Sequence, residues 1–353
     1  MFPFPGAYPT ILQPDDKVNA AFEQAMNGLT GAEQDHVRLM PITIARVQPG
    51  TGSYPSAGQF QQEVDYSASL LKVAVMYAAF ELHRFVTAVS LLPGGPSFAP
   101  VDQFLDAVAA DFDGHILDAV PRIRDFPGMP RQHVVPDYKN IFRVHEDPLI
   151  PVKIVEFHPT FEQHLHRMIR DSEATPSATH CIQALGYGYI NGALLHGGFF
   201  REPDLSGIWI AGDFKPSGRK DVRIPSVNDG DVAQATTTFD MANLYALINE
   251  EILTGVGGFS PRMRDLLANP RNAWFVTPPP NWDDTFNVVV THTKVGLGPL
   301  KAGGDVFSEG IIVHEKRHEA DFVVVYQDLR LGTQEAFGAV AKLIEATIDA
   351  VLA

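Results

Sequence analysis

The chain has 353 residues, of which 45% are hydrophobic, 20% charged and 10% aromatic, and its formal net charge is −15. That length and apolar fraction support a large core in one domain or two packed halves, while the acidity and the lack of a Lys/Arg stripe exclude a nucleic-acid partner. The one cysteine, Cys181, excludes an internal disulfide; no run reaches membrane-spanning length, and no signal peptide is visible, so a periplasmic or secreted location would require a trimmed mature chain.

In chain order, MFPFPGAYPT at the start is kept out of a helix by its prolines and is expected to be irregular. Residues 16–29 set Val18, Ala21, Phe22, Met26 and Leu29 at helical spacing behind an aspartate cap. PITIARV (41–47) and QFQQEVDY (59–66) read as two strands joined by a Gly/Pro/Ser loop. The stretch 67–88, SASLLKVAVMYAAFELHRFVTA, is apolar on nearly every side, which predicts a central core helix capped by Ser67. Helices are expected over 101–112 and 160–171, with a proline-punctuated stretch over 115–160 and mostly loop over 198–234. Thr238 is expected to cap a helix carrying Met241, Leu244, Tyr245, Ile248 and Ile252, and Ser260-Pro261 to open the next. Strands follow at 286–293, 306–314 and 320–327, and Thr333 starts a last helix with Phe337, Val340, Ile344, Ile348 and Val351 on one face. The predicted class is α+β: five antiparallel strands in one sheet, terminal helices on one face and a mostly helical block on the other. The chain reads as a single domain, with a sheet subdomain at about 16–66 and 235–353 and a helical subdomain at about 67–234.

Chemistry concentrates at Ser69-Leu70-Leu71-Lys72, an S-x-x-K sequence at the start of the apolar helix. One helical turn brings the lysine amine within reach of the serine hydroxyl. Burial disfavours the ammonium, so a partly neutral lysine can take the serine proton and activate the nucleophile. The helix N-terminus adds partial positive charge and free N–H groups where an oxyanion would form. A second S-x-x-K, Ser217 to Lys220, lies in the polar loop PSGRKD and is read as accidental.

The order of strand pair, buried S-x-x-K helix, helical block, ATTTFDMANLYALI helix, VVTHTKVGLG strand, two more strands and final helix resembles class A β-lactamases over roughly 16–353. Penicillin-binding proteins share that layout. The resemblance implies a β-lactamase/transpeptidase-like fold and a serine hydrolase working through an acyl-enzyme on a β-lactam, amide or ester, with no metal or organic cofactor. It sets Lys294-Val295-Gly296 in place of the K-T-G triad, with Lys294 stabilising negative charge near a second serine. The N–H groups of Leu297 and Ser69 would form the oxyanion hole. Ser172-Glu173-Ala174 takes the place of S-D-N, with Ser172 as proton shuttle, and the loop Arg201–Ser206 offers Glu202 as the base for the deacylating water.

Two departures narrow this. Val295 lacks the hydroxyl that the family uses for the substrate carboxylate, and Ala174 lacks the amide that holds the substrate. They favour an esterase, amidase or D-amino-acid peptidase on the same scaffold, acting on a small-molecule or peptide substrate, or a catalytically silent binding protein. A third reading is a metallohydrolase on His314-Glu315-Lys316-Arg317-His318, which matches H-E-x-x-H. That motif needs a helix, and here it is expected in a hairpin loop. His164 and His166 diverge on a predicted helix, and Tyr187-Gly188-Tyr189-Ile190-Asn191 is expected to be a turn between helices.

Overall fold

The computed structural model describes residues 2–124, 133–149, 152–215, 222–253, 259–273, 287–330 and 332–353; the Ser217 to Lys220 copy lies outside them. The main sheet has six strands rather than five: β1 (Leu12–Pro14), β2 (Ile42–Arg46), β3 (Tyr54–Gln59), β4 (Val288–Pro299), β5 (Asp305–Glu315) and β6 (Ala320–Leu329). Their spatial order is β1-β3-β2-β6-β5-β4. The pairs are antiparallel except at one edge, where short β1 runs parallel to β3. The second strand therefore falls in the stretch read as loop, and 59–66 is mostly irregular. Pro55 and Gly58 hide β3 from a propensity reading. The glycine is required there, because a Cβ on Gly58 would lie 1.9 Å from the Ile42 carbonyl oxygen.

On one face lie α1 (Asp16–Gly28), α2 (Gly31–Val37) and the C-terminal helix α10 (Gln334–Leu352). Asp15 and Thr333 cap α1 and α10 by accepting from Val18 N and Ala336 N. Val18, Phe22, Ile344 and Ile348 meet Ile44, Ile311 and Val324 of the sheet in one apolar cluster. The other face packs on α3 (Lys72–Leu91), around which gather α4 (Val101–Ala119), α5 (Pro159–Arg170), α6 (Thr179–Leu185), α7 (Tyr187–His196), α8 (Thr238–Asn249) and α9 (Phe259–Leu267). The 115–160 stretch adds a hairpin, Phe142–Glu146 with Lys153–Phe157. The stretch Tyr187-Gly188-Tyr189-Ile190-Asn191 opens α7 rather than forming a turn, and Asn191 is buried with its amide spanning Ile210 N and O. The cap of α8 is Thr237, not Thr238.

The N-terminal residues are irregular, as their prolines dictate, but they are strapped down. Phe4 stacks on Tyr189 and His196, Tyr8 N donates to Gly197 O, the Tyr8 hydroxyl donates to buried Glu81 of α3, and Ile11 N donates to the Asn243 side chain of α8. Among the described residues, no helix is long and apolar enough to cross a membrane.

Candidate active site

Ser69 does not sit on an α-helical turn. Ala68–Leu71 form a 3₁₀ turn, and α3 begins at Lys72. In a 3₁₀ turn side chains at i and i+3 eclipse, so Ser69 and Lys72 point the same way. Ser67, expected as the cap, makes no capping hydrogen bond. Instead Ala68 takes a left-handed backbone, φ 50°, directly before the serine. A bulky conformation of that kind persists only where the surroundings impose it. Here the imposing element is β4. A Cβ on Gly296 would lie 2.4 Å from Ser67 O, and one on Gly298 would lie 2.6 Å from the Tyr66 hydroxyl, so both positions are bare so that strand and turn can touch.

Lys72 is fully buried, and its Nζ donates to the carbonyl oxygen of Ser172 at 2.6 Å. Burial pushes its amine down to about 7, with Glu173 acting in the opposite sense. Lys294 of β4 is also buried, and its Nζ donates to Ser172 Oγ at 2.6 Å and to Val295 O at 2.8 Å. Burial first, and then the Lys72 charge, hold the Lys294 amine well below the usual lysine range, while Glu309 pulls the other way. Ser172, in a left-handed conformation at φ 54°, thus bridges the two lysines: its carbonyl receives one and its hydroxyl the other. Glu309 is itself buried beneath the β4 and β5 pair and accepts from Thr293 Oγ1 and the Tyr326 hydroxyl, each at 2.7 Å.

Half-buried Ser69 opens on a cleft of about 440 Å³ whose walls include Tyr66, Ala174, Phe214, Lys215, Gln234, Asp229 and Leu297. Ala174 and Leu297 line the cleft; Val295, alternating with Lys294 along the strand, does not. Glu202 is not among the lining residues either. Its loop closes on itself as a tight hairpin, Phe200–Arg201 with Ser206–Gly207, and Arg201 pairs with Asp240 at 2.8 Å. The residue of this region that meets Lys72 is Phe214, whose ring centroid lies 5.1 Å from Nζ. Sequence reasoning missed it, because a phenylalanine in the loop 198–234 carries no periodic signal. A larger cavity of about 600 Å³ lies between α4 and the Asp137–Asn140 turn; it contains His133 and His180 but no serine, threonine or cysteine.

His314 is the last residue but one of β5 and His318 lies in the turn before β6, so the H-E-x-x-H motif is in a hairpin and lacks the helix it needs. His314 Nδ1 is 2.8 Å from Asp321 Oδ1 and His318 Nδ1 2.8 Å from Glu315 Oε2. Although burial opposes it, hydrogen bonds from Arg317 and His318 hold the Glu315 carboxyl down at about 2. Among the described residues, no group of three or more His, Cys, Asp or Glu side chains could hold a metal ion.

No protein-family model matches the chain, and no curated protein matches it. The solved structures to which it is similar include beta-lactamases. They include the beta-lactamase of Sphaerobacter thermophilus, at 12% identity over 94% of this chain and 97% of that one, with a TM-score of 0.49. A class A beta-lactamase from Bacteroides cellulosilyticus is 10% identical over 96% of this chain and 98% of that one, also at 0.49. A class A beta-lactamase representing the last common ancestor of Gram-negative bacteria is 15% identical over 94% and 99%, again at 0.49. At this distance the likeness is one of fold.

Proposed function

We propose that the chain is a serine hydrolase that forms an acyl-enzyme on Ser69. The observation that carries this reading is a half-exposed serine on a strained turn beside a lysine that burial holds near neutrality. Lys72 takes the Ser69 proton as the hydroxyl attacks a carbonyl, and the N–H groups of Ser69 and Leu297 receive the oxyanion. Ser172, polarised by Lys294, passes a proton to the leaving group. Glu202 is outside the cleft lining, so water for deacylation is assigned no carboxylate base. Ala174 lines the cleft where an amide would hold a β-lactam side chain, which favours simple esters and amides over β-lactams.

The test is intact-protein mass after incubation with a chromogenic cephalosporin, penicillin G and a p-nitrophenyl ester, on wild type and Ser69→Ala. An adduct or turnover that depends on Ser69 supports the reading, and the preferred probe names the substrate class. Equal behaviour of both proteins sinks it and leaves the silent binding protein.

A further inference from the structure

Phe214 stands in the loop between α7 and α8 with a left-handed backbone, φ 56°. A bulky side chain pays for that conformation only where its neighbours fix it. The residues that lead into it are held by hydrogen bonds. Asp213, buried before it, accepts from Gln183 Nε2 at 2.8 Å through Oδ2 and from Thr179 Oγ1 at 2.8 Å through its carbonyl. Gly212 O accepts from Gln234 Nε2 at 2.7 Å, and Ala211 N donates to Ala233 O at 2.6 Å. The result is a ring aimed at the Lys72 amine and shared between that amine and the cleft.

We propose, building on the acyl-enzyme reading, that Phe214 is a positioning residue for Lys72. Its ring shuts bulk water away from the amine, and its electron-rich face receives the ammonium that forms when Ser69 gives up its proton. The two effects oppose each other in the resting enzyme, since water exclusion favours the neutral amine and the ring face favours the cation. Exclusion is the larger, because burial is the leading influence on Lys72. The other groups facing the amine are the Ser172 carbonyl, the Lys294 amine and the Glu173 carboxylate, with Glu309 beyond Lys294. None of these is a wall against solvent. Phe214, over the amine and on the cleft, is that wall.

Two variants separate the effects. Phe214→Ala admits water, whereas Phe214→Leu keeps water out and removes the aromatic face. The Lys72 titration is followed by NMR of protein carrying ε-¹³C lysine, assigned with Lys72→Met, and the rate of Ser69 labelling by a p-nitrophenyl ester is followed against pH. In Phe214→Ala both midpoints should move up by about one unit, making labelling at neutral pH about 5-fold slower. Phe214→Leu should move the midpoint down by about half a unit, because the cation loses the ring face, and lower the plateau rate about 2- to 5-fold. A wild-type midpoint in Phe214→Ala overturns water exclusion, and a wild-type plateau in Phe214→Leu overturns the role of the ring face. Phe98→Ala, on a largely exposed ring, is the control and should match wild type. If Ser69 is never labelled, the hydrolase reading fails, while the NMR titration still decides whether Phe214 governs Lys72.

Discussion

In the proposed reaction Lys72 is asked to be two incompatible things, a buried core residue and a proton acceptor. Its folded amine, near 7, binds a proton less tightly than the unfolded one. Stability contributed through this group is therefore lowest below about 7 and rises with pH toward the ordinary lysine value of about 10.5. Lys72→Met removes the conflict. Urea unfolding should show a gain of about 1–4 kcal/mol at neutral pH and a flatter profile between 7 and 10. The same variant should lose Ser69 acylation by a factor on the order of 10²–10⁴, the usual contribution of a general base. In wild type, acylation should climb with pH through about 7 as the amine is freed; an acid limb centred near 4 would point to a carboxylate instead.

At the scale of elements, the candidate active site is built on a contact between a strand and a 3₁₀ turn. Gly296→Ala places a methyl 2.4 Å from the Ser67 carbonyl oxygen, which is backbone and cannot swing aside. The expected cost is about 1–3 kcal/mol in unfolding free energy, as for overpacked sites, with acylation at least 10-fold slower because the turn shifts. A variant with wild-type rate and stability would show that strand and turn do not need this approach. Much of this arrangement is legible in the sequence. Lys72 stands out because a charge in an all-round apolar helix demands a reason, and the long helices and β4 to β6 announce themselves through spacing and β-branched runs. Strand β3 does not, since Pro55 and Gly58 are chosen for a close approach to Ile42 that no local pattern encodes. Phe214 is invisible for a similar reason, because its role comes from hydrogen bonds to Gln183, Thr179 and Gln234, far away in the chain. Glu202 misleads in the opposite way. A familiar local loop sequence closes on itself, anchored by Arg201 on Asp240, rather than reaching the cleft.

Across the whole molecule, the pH response of folding is also set by Asp65, buried behind the cleft wall where it bridges to Thr236. Burial, then Asp328 and Glu63, raise its carboxyl to about 7. A raised carboxyl gives stability that is full below its unfolded value near 4 and is lost as pH climbs through about 7. In thermal unfolding, the part of the stability that Asp65 contributes should therefore shrink from pH 4 to pH 8, opposite in sign to the Lys72 contribution above 7 and to those of His83 and His292, which burial holds near 4. Asp65→Asn should flatten that decline and exceed wild type by about 1–4 kcal/mol at pH 8. Parallel declines in both proteins would assign the effect elsewhere.

The strap at the N-terminus has a consequence for the order of events during synthesis. Residues 4 to 11 leave the ribosome well before Glu81, Tyr189, Gly197 and Asn243, which they bind. The strap therefore cannot take its place until α8 has been made.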